Sequence, residues 1–329
     1  MRLLRVRPRP ALVNAVSRGV EWVTGGLGVR MYAGGVLGPN DLILSSGVVG
    51  NPPLPELIDA AHAGGYRGLA LWPGAYHSRF STGPAAASLT EVSRCISGSG
   101  LVVWDVDAAV IWAGPDDPGA PYYEEAPEPA VFDFAEAAGA HGVNLLLLSG
   151  HGASRDALTA EFVAFCGRAA ERGLRVHLEF SRDRPPRDLA SAAALVDAAG
   201  CENGGLMIDL WHLYWSGGRL EDLSSVRGEA VRGVQLCDVP AEEPADFAHA
   251  TRYQRLAPGR GVGAPSPLLA QLRAAGCSAP LTLEAFDQAR LDEIGARAFA
   301  AELAEAARAV TQSETEDSSR SRMGPTNSG

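Results

Sequence analysis

The chain contains no lysine; all 28 of its basic residues are arginine. That absence excludes a lysine Schiff base, and with it class I aldolase or pyridoxal phosphate chemistry carried on this chain. Activation of a substrate carbonyl must come from a metal ion, from arginine or from hydrogen bonds. Long apolar runs are missing as well. The greasiest stretches, such as 143–148, have the length of a strand and not of a bilayer span, so no membrane partner is expected. The five cysteines, Cys95, Cys166, Cys201, Cys237 and Cys277, form no C-x-x-C pair. Neither a zinc knuckle nor a disulfide framework is signalled, and reduced thiols in a cytoplasmic protein are expected. The first β-type run is followed by Ser45-Ser46-Gly47-Val48-Val49-Gly50, which lacks the G-x-G-x-x-G spacing of a dinucleotide fold. Basic stripes are absent too. With a net charge of −11 and a pI near 5.1, the chain repels phosphate backbones, so nucleic acid is not expected as a partner.

What is present divides into three parts. Residues 1–40 begin with Arg2, Arg5, Arg7, Arg9 and Arg18 and run into Gly25, Gly26 and Gly28. Arg18 and Glu21 interrupt any apolar signal core, so this segment reads as a loosely ordered extension, with Met31 as an alternative start. Residues 311–329 are rich in Ser, Thr, Glu and Asn and read as a disordered tail. Between them, over 41–310, apolar β-type runs at 42–45, 68–72, 101–106, 143–148, 174–180, 206–210, 231–236 and 281–283 alternate with helical periodicity. The helical segments are 55–63, 86–97, 130–140, 158–171, 188–199, 220–226, 267–275 and 291–310, several closing on glycine, as at Gly64, Gly173 and Gly276. Eight strands, each followed by a helix, predict a single (β/α)8 TIM barrel.

In such a barrel, chemistry sits at the carboxyl ends of the strands. The fifth run closes on Glu179, the sixth on Asp209, the seventh contains Gln235, and the eighth is followed by Glu284. Charged groups ending apolar strands are costly to desolvate unless paired or metal-bound. Four oxygen donors on four consecutive strands therefore predict one divalent metal ion on Glu179, Asp209, Gln235 and Glu284. All-oxygen ligation suits Mn²⁺ or Mg²⁺, with Co²⁺ or Zn²⁺ as alternatives. Trp72, Trp104 and Trp112 read first as core filling, His177 as a mid-strand core residue, and Asp238 as either a loop cap or a support for Arg255. His77, His151 and His249 fall in predicted loops.

Several segments together resemble the xylose-isomerase-like barrel superfamily of sugar phosphate isomerases and epimerases, inosose dehydratases and dehydroshikimate dehydratases. They are Val176-His177-Leu178-Glu179, the D-x-x-H of Asp209 and His212, Val234-Gln235-Leu236-Cys237-Asp238, and Arg255-x-x-Pro258-Gly259-x-Gly261 followed by Leu283-Glu284. The resemblance implies Glu179, Asp209, Gln235 and Glu284 as metal ligands, with His212 and Arg255 facing the substrate's oxygens. Three departures matter. Gln235 stands where many epimerases have histidine and looks more like the dehydratase relatives. Arg260 replaces the glutamate of P-G-E-G. Trp215 stands where the pattern D-x-x-H-x-x-R has arginine. The implied substrate is a small polyhydroxylated ketone or aldehyde, with Glu179 and Glu284 removing and returning a proton through an enediolate. Isomerisation or epimerisation is the first expectation, and dehydration of a cyclic keto-polyol is the alternative. A homo-oligomer is compatible with the barrel.

Overall fold

The computed structural model describes residues 36–80, 85–113, 126–149, 153–183 and 185–322. The expected extension and the end of the expected tail therefore fall largely outside the described residues. Eight parallel strands close into one barrel in chain order. They are β1 (Leu42–Ser45), β2 (Gly68–Leu71), β3 (Val102–Ala113), β4 (Gly142–Ser149), β5 (Arg175–Glu179), β6 (Gly204–Asp209), β7 (Val231–Leu236) and β8 (Leu281–Leu283). Closure comes from β1 pairing with β8, with Ile43 opposite Thr282 and Leu44 opposite Leu283. Every residue of β1, β2, β6 and β8 is buried. This double burial is why the runs read as continuous apolar segments and not as alternating ones.

The helices are α1 (Leu54–Gly64), α2 (Pro73–Phe80), α3 (Ala85–Ser99), α4 (Glu128–Ala138), α5 (Arg155–Glu171) and α6 (Leu189–Ala199), then α7 (Leu210–Trp215), α8 (Phe247–Tyr253), α9 (Pro265–Ala274), α10 (Gln288–Ile294) and α11 (Ala296–Arg322). Their ends follow local chemistry. Asp188 and Ser191 form a reciprocal capping box on α6. α1 stops at Gly65, whose φ of 66° is a left-handed conformation that glycine adopts without strain. α11 packs along α1, where the Tyr66 hydroxyl donates to the Ala300 carbonyl at 2.9 Å. Its helical backbone runs through Arg322, past the Val310 at which the sequence pattern closes.

Three differences from the sequence pattern bear on the site. β3 extends to Ala113, with irregular register against both neighbours, where the apolar pattern stops at Val106. The segment after β6 is the short helix α7, and 220–225 is a 3-10 helix and not an α-helix. The long connection after β7 carries α8, which the periodicity did not reveal.

Candidate active site at the carboxyl mouth of the barrel

The site grows out of strand ends. Asp209 is both the last residue of β6 and the N-cap of α7. Its Oδ1 accepts from the Trp211 backbone N–H at 2.7 Å, which leaves Oδ2 directed at the barrel mouth. One turn of α7 then carries His212 to the same side, with Nε2 3.8 Å from Asp209 Oδ2 and 3.5 Å from Glu179 Oε1. Glu179, Asp209 and His212 each offer a ligand atom within 4.8 Å of the others, so these three could hold a metal ion.

Arg255 arrives from the connection between β7 and β8. Its backbone is fixed on both sides, by a bridge between Asp238 and Leu256 and by its own N–H to the Phe286 carbonyl at 2.7 Å. The buried guanidinium lies over the rings of Phe286 and Trp211. Its NH1 donates to Asp209 Oδ2 at 2.9 Å and to Glu284 Oε2 at 3.4 Å. Arg255 thus joins two of the expected ligands directly, as well as lining the cavity where a substrate would sit. Burial alone would lower its pKa, but Asp209 and the neighbouring acids lift it above the ordinary arginine value. Asp238 does not hold Arg255. Its carboxylate accepts from the backbone N–H groups of Val239, Gly259 and Gly263 at 2.7–2.9 Å and so organises the following loop. Gly261 in that loop admits no side chain, because a Cβ would sit 2.1 Å from the Val239 carbonyl.

Gln235 joins the group through a residue the sequence reading did not single out. Asp107, on the extended part of β3, accepts from Gln235 Nε2 at 3.1 Å through one oxygen and from Asn144 Nδ2 at 2.8 Å through the other. Asn144, on β4, also donates to Glu179. Glu284 is a further neighbour that acts on the Asp107 carboxyl. Sequence signals for Asp107 did exist. Two acids two apart, Asp105 and Asp107, interrupt an apolar run, and at that spacing both fall on one face of a strand.

Acids outnumber cations in this mouth. Burial, then Asp107 and Asp209, push Glu179 well above the ordinary carboxylate range. Burial and Asp107 do the same to Glu284, against the pull of Arg255. Asp107 is pushed up to about 6, first by burial and then by Asp105. Burial lowers His212 to about 4, so its ring is neutral at physiological pH. Gln235 Oε1, Asn144 Oδ1 and His212 Nδ1 are buried polar atoms without a hydrogen-bond partner among the described residues.

Over this ring opens a cavity of about 310 Å³ whose lining includes Asp107, Glu179, His212, Arg255 and Glu284, with Trp72 and Phe286 as apolar walls. Trp72 thus does more than fill the core. Trp104 instead closes the barrel floor, stacked on His141 at 4.3 Å. His177 is a core residue, as expected, with Nδ1 3.3 Å from Asp105 Oδ2. Trp215 packs edge-on against Trp211 and Tyr214 rather than facing the cavity. His249 stacks on Tyr253 along α8; His151 and the side chains of His77 and Trp112 lie outside the described residues. All five cysteines are free.

Comparison with known proteins places this geometry. Over 121 residues the chain is 33% identical to a 3-dehydroshikimate dehydratase of Pseudomonas aeruginosa, a match covering 36% of this chain and 19% of that protein. The match thus spans about a fifth of the length of that relative. Among solved structures, a xylose isomerase-like TIM barrel/4-hydroxyphenylpyruvate dioxygenase fusion protein superposes with a TM-score of 0.72 at 18% identity, covering 86% of this chain and 45% of that one. The IOLI protein with a bound zinc atom gives 0.66 at 16% identity, covering 84% and 98%. L-ribulose 3-epimerase gives 0.62 at 16% identity, covering 88% and 99%. At these identities the structural likeness establishes the fold alone. The family model described as xylose isomerase-like TIM barrel matches residues 58–310. The chain therefore belongs to the xylose isomerase-like TIM barrel family.

Proposed function

We propose that this chain is a divalent-metal-dependent enzyme that removes the proton beside a carbonyl of a keto-polyol. Its outcome is elimination of a β-hydroxyl as water from a cyclic keto-acid or keto-polyol. The observation that carries the reading is the charge of the mouth. Asp107, Glu179, Asp209 and Glu284 share one desolvated site with, among the described residues, one buried guanidinium, Arg255, and a neutral imidazole. Buried carboxylates without counter-charge are costly, and an added divalent cation answers that imbalance. The donor set of carboxylate and amide oxygens, with Gln235 Oε1 lacking any protein partner, fits Mn²⁺ or Mg²⁺. Glu179 and Asp209 would hold the ion, with His212 near enough to join them, and Gln235 and Glu284 would complete its shell. A bound ion supplies polarisation of the carbonyl and stabilisation of the negative charge that develops on its oxygen.

The protein's own groups have unlike settings. Glu179 receives its hydrogen bond from the neutral Asn144 and lies 3.5 Å from the neutral His212, with no guanidinium in direct contact among the described residues, which leaves it the stronger base for the α-proton. Glu284 lies against Arg255 and within 3.5 Å of the Ser45 hydroxyl, a setting that suits it to orienting substrate oxygens. Trp72 and Phe286 give a ring an apolar wall and limit water at the reacting carbon. Two observations favour elimination: the amide at 235 and the 33% identity to a 3-dehydroshikimate dehydratase. One observation favours the second reading, an isomerase or epimerase. Both Glu179 and Glu284 open on the same cavity, and two carboxyls are what removing and returning a proton on opposite faces requires.

Incubating the full chain and Mn²⁺ with 3-dehydroshikimate, an inosose and common ketoses separates the two readings. Elimination predicts a new conjugated chromophore. Solvent deuterium in recovered sugar without a chromophore would instead establish isomerase or epimerase chemistry, and neither signal on any substrate would overturn both.

A further inference from the structure

We infer that Asp107 is a positioning residue that turns the Gln235 amide so that its oxygen, and not its nitrogen, is presented to the cation. The inference rests on the metal-dependent reading above and deepens it. A glutamine ligand carries a difficulty that a carboxylate does not. Its two ends have nearly the same shape and opposite polarity, so an amide turned by half a rotation offers a donor where an acceptor is needed. Something must choose the orientation.

In this barrel the choice is made from across the mouth. β3 and β7 are not neighbours in the sheet, yet Asp107 Oδ2 lies 3.1 Å from Gln235 Nε2. A carboxylate accepts and does not donate, so the end of the amide facing it must be the NH₂ group. The other Asp107 oxygen takes the NH₂ of Asn144 in the same way, at 2.8 Å. One acid thereby fixes two amides, one with each oxygen. Both amide oxygens are left over, and Gln235 Oε1 and Asn144 Oδ1 are buried without a partner among the described residues. A buried carbonyl oxygen without a partner is costly, and the cost is relieved when a ligand occupies the site. The same relay continues through Asn144 to Glu179, so the chain Gln235–Asp107–Asn144–Glu179 ties two of the four expected ligands together.

Substitution of Asp107 by asparagine keeps the shape and removes one acceptor. The new amide offers one oxygen and one NH₂, so Gln235 can turn its own oxygen toward that NH₂ and face the cation with nitrogen. A carboxylate at 235 has no wrong end. The D107N change should therefore cost nothing in a Q235E background, whereas a loss through charge alone would weaken binding in both backgrounds, which separates orientation from simple electrostatics.

The test is Mn²⁺ binding by titration calorimetry to the full chain as wild type, D107N, Q235E and D107N/Q235E, with circular dichroism melts as the folding check. D107N is expected to weaken Mn²⁺ binding about 10- to 100-fold, the usual cost of losing a residue that orients a ligand. The double variant is expected to bind within about threefold of Q235E, because nothing at 235 then needs turning. D107S, which also removes the acceptor, replaces D107N should the latter fail to fold. Unchanged binding in D107N overturns the inference. So does a double variant weakened relative to Q235E as much as D107N is relative to wild type, because Asp107 would then act by charge or as a direct ligand. Wild-type protein that binds no divalent ion overturns the metal reading itself, a result distinct from either.

Discussion

The two halves of the barrel divide the work unequally. Strands β5 to β8 each deliver a donor-type side chain at or just beyond the carboxyl end: Glu179, Asp209, Gln235 and Glu284. Strands β1 to β4 deliver the setting for those groups. Asp107 and Asn144 hold amides and acids in place, Ser45 reaches Glu284, and Trp72 walls the cavity. Among the described residues, Arg255 alone gives these four donors a guanidinium in contact, and it is shared between Asp209 and Glu284. The contrast teaches that this mouth is built as an acidic ring and a frame. On the proposed reading the ring carries the chemistry, and the frame fixes which atoms of the ring face inward. Substitutions in the two halves should therefore fail differently.

The largest effect is expected at Glu179. Glu179→Gln removes the base while keeping shape, and kcat should fall about 10²- to 10⁴-fold, the usual worth of a positioned general base. Retained turnover on a substrate identified by the assays above would break the assignment of chemistry to the second half. Next comes Arg255. Arg255→Met keeps the apolar stem against Phe286 and Trp211 but leaves Asp209 and Glu284 as buried, unopposed acids. Removing one partner of a buried ion pair costs about 3–5 kcal/mol, read as a lower urea midpoint in metal-free buffer. Added Mn²⁺ should restore part of that loss in the variant, since binding to the native state alone raises stability. A variant as stable as wild type without metal would show that the acids do not need Arg255.

The same division explains what could be read from the sequence. In the second half each strand is short, apolar and closed by one polar residue, so strand end and site residue coincide and Glu179, Asp209 and Glu284 stand out. In the first half that coincidence fails. β3 continues past Val106 through a register shift, so Asp107 lies inside a strand where the apolar pattern had already ended. Asn144 is equally hidden, as an uncharged residue within Val143-Asn144-Leu145 that reads like any strand position. Both matter only through contacts across the barrel, and no local pattern encodes those. α7 was hidden for a related reason. Six residues, Leu210 to Trp215, are too few to show helical periodicity, although Asp209 as an N-cap before them is a readable signal. The eightfold alternation was legible throughout because double burial makes each strand continuously apolar, which does not depend on register.

The smallest effect probes a layer below the mouth, where the first half meets the second through Asp105 and His177. This pair is wholly buried, His177 Nε2 and Asp105 Oδ1 lack partners, and burial acts on both groups. It raises Asp105 to about 7 and lowers His177 to about 3, so at neutral pH the histidine is uncharged. The signs for stability are opposite. A carboxyl raised in the folded state contributes stability below its unfolded value, near 4, and loses it as the pH rises through about 7. A histidine lowered in the folded state destabilises as the pH falls from its unfolded value, near 6.5, toward about 3. Asp105→Asn removes the first effect and keeps an oxygen to accept from His177. The variant should gain on wild type between about pH 5 and pH 8, by on the order of 2 kcal/mol, as urea midpoints at the two values would measure. The histidine contributes to both proteins and cancels in the difference. A gap between variant and wild type that is the same at both values would mean that Asp105 is already ionised at about pH 5 in the folded protein, so that burial does not raise it. The pH response of the barrel interior beneath the acidic ring would then fall to His177.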